Sequence, residues 1–230
     1  MFFDPTYILF LSPALLLMFW AQFKVQSAFR KYGKVTTSSG LTGSDVAREI
    51  LKANGIHDVA VEEVSGFLSD HYDPSKKVLR LSPNVYGNNS AAAVGVAAHE
   101  VGHAIQHATS YAPLALRSAL VPAVQIGSFV WMPLFLLGMF LGSLEFSMIG
   151  IAAFTAVAVF QIITLPVEFD ASKRAIVQIQ QLGIMRGDEV AGAKRVLDAA
   201  ALTYVAAAVQ SILTILYFLV QLGIFGRRND

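Results

Sequence analysis

Cysteine is absent from this chain, which excludes disulfides, thiolate nucleophiles and metal sites built on sulfur. Charge is scarce as well. Asp, Glu, Lys and Arg make up 14% of the 230 residues, where a soluble domain carries about a quarter. The net charge is only +1, and without a concentrated basic face the chain is not built to neutralise phosphates, which argues against nucleic acid as a partner. Internal repeats, low-complexity tracts and a Gly-rich phosphate loop are also missing. What remains is apolar: 55% of the residues are hydrophobic. Such a chain belongs in a lipid bilayer, and any metal it holds must be bound by His, Asp or Glu.

Four stretches match the roughly 20 apolar residues that a helix needs to span a bilayer: residues 7–23, 119–141, 146–167 and 200–225. The first has no basic residue before it and no small-residue cleavage site after it, so residues 1–23 read as a retained anchor rather than a cleaved signal. Basic residues accumulate on the cytoplasmic side. Ten of the 17 lie in residues 24–118 and five in 168–199, leaving Arg227 and Arg228. Both hydrophilic segments are therefore expected in the cytoplasm. The organisation expected is mainly α, multi-pass, with about four transmembrane helices and a small α+β cytoplasmic domain. Its parts are an anchor (1–23), a mixed α+β region (24–118), a helical hairpin (119–167), a cytoplasmic segment (168–199) and a last span with its tail (200–230).

Within residues 24–118, Ser44 reads as the N-cap of a short amphipathic helix stopped at Gly55. Val59, Val61 and Val64, the turn-rich Ser69-Asp70-His71-Tyr72-Asp73-Pro74, and the alternation of Leu79 and Leu81 with Val78 and Arg80 predict a hairpin or three-stranded sheet. The alternating residues 77–82 read as an edge strand, open to pairing with an extended peptide. Asn88, Asn89 and Ser90 then offer caps for a helix over residues 91–109.

That helix carries His99-Glu100-Val101-Gly102-His103. Residues at i and i+4 share a helical face about 6 Å apart, so both imidazoles can reach one ion, and neutral imidazole suits tetrahedral zinc. Glu100 falls beside the ion, where it can take a proton from the attacking water and pass it to the leaving amine. Gly102 leaves the helix open to a close neighbour. One zinc per chain, with three protein ligands and an open position, is the expectation. Glu168, at the end of the third span, returns to the side of His103 after two crossings and is the first candidate for third ligand; Asp170 is the next. His107 continues the row from His103 but is too far from His99 to share its ion comfortably, so a supporting or surface role is expected. His71 could either donate to the oxyanion of a tetrahedral intermediate or close its own turn.

Taken in order, the anchor, the 69–74 motif, the run from His99 to His107, the hairpin, Pro166-Val167-Glu168-Phe169-Asp170-Ala171-Ser172 and the last span resemble the YugP-type membrane zinc metallopeptidases of bacteria. The likeness covers nearly the whole chain. It is similar, more distantly, to the heat-shock membrane proteases and CAAX prenyl proteases. The resemblance implies His99 and His103 as paired ligands, Glu168 as third ligand and Glu100 as general base, acting on protein or peptide substrates. The distant relatives place an Asp four residues after the ligand Glu to support a zinc His. Here Ser172 stands at that position and Asp170 two residues after Glu168, and either can take the supporting role. An intramembrane protease of the site-2 type and a non-enzymatic metal-binding adaptor are the competing readings.

Overall fold

In the computed structural model, residues 5–224 are described. The element order is α1 (Pro5–Tyr32), α2 (Gly43–Ala53), β1 (Ala60–Glu63), β2 (His71–Asp73), β3 (Val78–Leu81), α3 (Pro83–Tyr86), α4 (Ala91–Ala108), α5 (Ala112–Leu141), α6 (Leu144–Gln181) and α7 (Asp188–Gln221). The chain is thus mainly helical with one small sheet. Four helices, α1, α5, α6 and α7, are long and apolar enough to cross a membrane. Phe225, at the end of the fourth expected span, and Arg227 and Arg228 lie outside the described residues.

The long helices exceed the spans read from hydropathy. At 1.5 Å per residue, the 38 residues of α6 and 34 of α7 reach about 57 and 51 Å, against roughly 30 Å of hydrocarbon. Much of the hydrophilic segment 168–199 is therefore continued helix, turned over by Gly183 and Gly187 at positive φ.

Two compact units emerge. Among the described residues, the first comprises 5–20, 116–165 and 203–224. Its core gathers Phe135, Ile151, Tyr217 and Phe218, with Trp131 packed against them. Small residues let helices α5 and α6 approach: a Cβ on Gly150 would lie 2.7 Å from the Trp131 carbonyl oxygen and from the Phe135 nitrogen. Buried hydroxyls find acceptors inside their own helices, Thr164 on the Phe160 carbonyl and Thr214 on the Gln210 carbonyl, both at 2.8 Å, as a medium without water requires.

The second unit comprises residues 21–115 and 166–202. Its core packs α2, β3 and α4 with the second half of α6 and the first half of α7. The N-cap of helix α2 lies two residues before Ser44: it is Thr42, accepting from the Asp45 amide while Asp45 accepts from the Thr42 amide. The reciprocal box that Asp45 completes decides the position. Ser90 caps α4 through the Ala93 amide.

The sheet corrects one expectation. Strand order is β1-β3-β2, with β3 parallel to β1 and antiparallel to β2. Residues 77–82 therefore form the central strand, not an edge, and no peptide can pair there. The reason is burial. Leu79 and Leu81 are both fully buried, making β3 the most apolar strand, which gains most from neighbours on both sides, while β1 and β2 carry the charged residues of the rim.

Candidate metal centre

Helix α4 brings His99 and His103 to one face, and α6 brings Glu168 to meet them. The His99 Nε2 lies 3.2 Å from Glu168 Oε2 and the His103 Nε2 lies 3.8 Å from it. One ligand atom from each residue falls within 4.8 Å of the other two. Four donors at 2.0–2.1 Å around tetrahedral zinc sit about 3.3 Å apart, so these three residues fit the ion with little adjustment. Glu168 is 3% exposed. A buried carboxylate is costly unless it is paired, and a divalent cation shared with the two imidazoles would offset that cost.

Each imidazole is held from behind. The His99 Nδ1 is 3.1 Å from Ser172 Oγ, and the His103 Nδ1 is 3.0 Å from Gln106 Oε1. The amide of Gln106 has its orientation fixed by chemistry: its Nε2 donates to the Val167 carbonyl and to Asp170 Oδ2, both at 2.8 Å and both acceptors only. Its Oε1 is left to accept from His103, so Nδ1 carries the proton and Nε2 is free to ligate. Ser172 can do the same for His99. Asp170, further held by Arg174, reaches the centre through Gln106. An offset of two residues from Glu168 turns Asp170 about 200° round the helix, away from the ion.

Gln106 is a residue that sequence reasoning misses. It is fully buried, and the available signal was its place at i+3 from His103, on the same face of the same helix.

The other sequence candidates lie outside the metal group. His107 Nδ1 is 2.8 Å from the Tyr72 hydroxyl; burial, then Asp58 and Asp73, push that phenol up to about 12. His71 is exposed, its Nδ1 donating to the Ser69 carbonyl at 2.8 Å and its Nε2 3.4 Å from Arg80, an arrangement that closes the turn. Asp70 instead turns inward, accepting from the amide and hydroxyl of Ser82. Glu100 is buried on α4, and burial raises its carboxyl to about 7; His99 opposes that, while Glu168 and Asp70 add to it. A bound cation would pull it down again.

Glycine makes the juxtaposition possible. A Cβ on Gly102 would lie 2.5 Å from the Ala171 carbonyl oxygen, one turn beyond Glu168. Helix propensity alone favours Gly102→Ala by about 1 kcal/mol, but overpacking against backbone costs about 1–3 kcal/mol. The variant is expected to lower the thermal midpoint in detergent and to weaken metal binding, because α6 must retreat with its ligand. An unchanged midpoint and metal content would show that the close approach is dispensable.

Comparison with known proteins gives the same direction. A family model described as "Putative neutral zinc metallopeptidase" matches residues 7–223. The chain is 55% identical over 205 residues to the "Putative membrane protease YugP" of Bacillus subtilis (strain 168), covering 89% of this chain and 91% of that protein. No solved structure matches the chain.

Proposed function

We propose, since the chain belongs to the neutral zinc metallopeptidase family, that it is a membrane-bound zinc endopeptidase acting on membrane or membrane-proximal proteins. The observation that carries this reading is the convergence of His99, His103 and Glu168 within 4.8 Å, with Glu100 on the adjoining face of α4 in a zincin-like arrangement. His99, His103 and Glu168 would hold one zinc per chain. The chemistry that zinc supplies at such a site is Lewis acidity, which acidifies water and polarises a carbonyl. Glu100 acts as general base, accepting the proton of the attacking water on its carboxylate and returning it to the departing amine nitrogen. Gln106 keeps the His103 imidazole in the ligating tautomer, and Ser172 can accept from His99 Nδ1 to the same effect. The burial around Glu100 and Glu168 limits competing water, which strengthens these electrostatic interactions.

Two features favour this over a site-2-type protease. Helix α4 is not among the four helices long and apolar enough to span, and Asp170 is engaged by Gln106 and Arg174 rather than turned to the histidines. The test of function is comparative membrane proteomics of cells carrying the wild type or Glu100→Gln. Substrates should persist only in the variant; identical proteomes would favour the adaptor.

The Lys and Arg distribution supports a cytoplasmic active site. In this cysteine-free chain, Glu145→Cys should be labelled by an impermeant maleimide on intact cells, and Lys76→Cys only after permeabilisation. Both positions are exposed. The reverse pattern would place the site, and its substrates, outside.

A further inference from the structure

Helices α6 and α7 enclose a groove of about 280 Å³ that the reaction does not use. Phe169, Ile176, Val177, Leu197 and Ala201 give it an apolar lining, and Lys173, Lys194 and one carboxylate, Asp198, border it. The apolar run of α6 ends at Val167 and that of α7 begins at Ala200. At 5.4 Å per turn, Phe169 and Ala201 stand within the first turn of those limits and Lys173 within the second. The groove thus begins at the depth of the headgroup region, which adds about 5–7 Å to each side of the hydrocarbon. Its charge is unbalanced. Lys194 pairs with exposed Asp198 at 2.6 Å, while exposed Lys173 has no carboxylate within ion-pair distance among the described residues. Half of the Phe169 surface is left open.

We propose that this groove binds one anionic phospholipid, its phosphate between Lys173 and Lys194 and its glycerol and upper acyl chain against Phe169, Leu197 and Ala201. An apolar slot bordered by two lysines at the ends of two spans matches an amphiphile with a negative head, as basic pockets between membrane helices do. A soluble anion would leave the apolar lining uncovered, and a neutral lipid would leave Lys173 unmatched. Ser172 lines the groove and also supports His99, so the lipid would lie against the wall of the metal centre.

The test is native mass spectrometry of the full-length protein in detergent, titrated separately with phosphatidylglycerol and phosphatidylcholine, which resolves each bound lipid. The wild type should bind one phosphatidylglycerol more tightly than later ones and more tightly than phosphatidylcholine. Each lysine near the surface contributes about fivefold, so Lys173→Gln with Lys194→Gln should weaken that first site about 25-fold, while zinc per chain stays as in the wild type. Lys173→Arg with Lys194→Arg should retain the site. Equal phosphatidylglycerol binding by the glutamine variant, or equal binding of phosphatidylcholine, would overturn the proposal. So would stoichiometric displacement of the bound lipid by a peptide substrate, which would assign the groove to substrate instead.

Discussion

Replacing Glu100 by Gln is expected to cut peptide hydrolysis by about 10²–10⁴-fold, the range in which a general base contributes, while the protein keeps about one zinc per chain. The amide conserves shape and volume but cannot accept the proton of an attacking water. Retention of metal follows from the geometry: the three converging donors are His99, His103 and Glu168, and Glu100 is not among them. The substitution also replaces a buried carboxyl with a neutral group, so no folding defect is expected. Steady-state hydrolysis of an unfolded protein substrate, alongside metal analysis of the same sample, separates the possibilities. Full activity with full zinc would remove Glu100 from the chemistry and favour a structural metal.

Loss of the third donor should act on binding before it acts on rate. Glu168→Ala is expected to lower zinc affinity by more than the roughly 10–100-fold that loss of a supporting contact costs, because it removes a ligand and the negative charge that offsets the cation. The two imidazoles would remain, held by Ser172 and Gln106, so weak binding should persist and peptide hydrolysis should fall with occupancy. Competition with a chelator of known affinity measures the change. If Glu168→Ala holds zinc as tightly as the wild type, the third ligand lies elsewhere. Asp170 could serve only by leaving Gln106 and Arg174.

Some of this was legible in the residues and some was not. A spacing of four on a helix specifies a shared face, so the pairing of His99 with His103 needed no structure. Glu168 can be placed with them because two expected crossings would return the chain to the same side. Four long apolar helices follow from hydropathy for the same elementary reason, that about 20 apolar residues span a bilayer.

The sheet was a different matter. Alternation in residues 77–82 reports which side chains face inward, and Leu79 and Leu81 do so; it does not report how many strands pair with that segment. The edge assignment failed because both neighbours, β1 and β2, are short and charged, and their pairing is visible only in three dimensions. Gln106 escapes a sequence reading because its i+3 spacing from His103 is shared by residues that merely pack, and a buried amide does not titrate. Only its contacts, with His103 on one side and Val167 and Asp170 on the other, show what it does. Ser172 stands out in the sequence by its position four residues after Glu168, and the contact with His99 gives that position a physical role that a hydroxyl can fill.

One ion at His99, His103 and Glu168 is proposed to make this protein a peptidase. That role is tested most directly by stripping the purified full-length protein with a chelator and returning zinc in measured steps while following hydrolysis of an unfolded protein substrate. Activity should be absent at the start, rise in proportion to bound zinc and level off at about one ion per chain. Hydrolysis that persists in the stripped protein, or zinc that binds to one per chain without any hydrolysis appearing, would contradict the account.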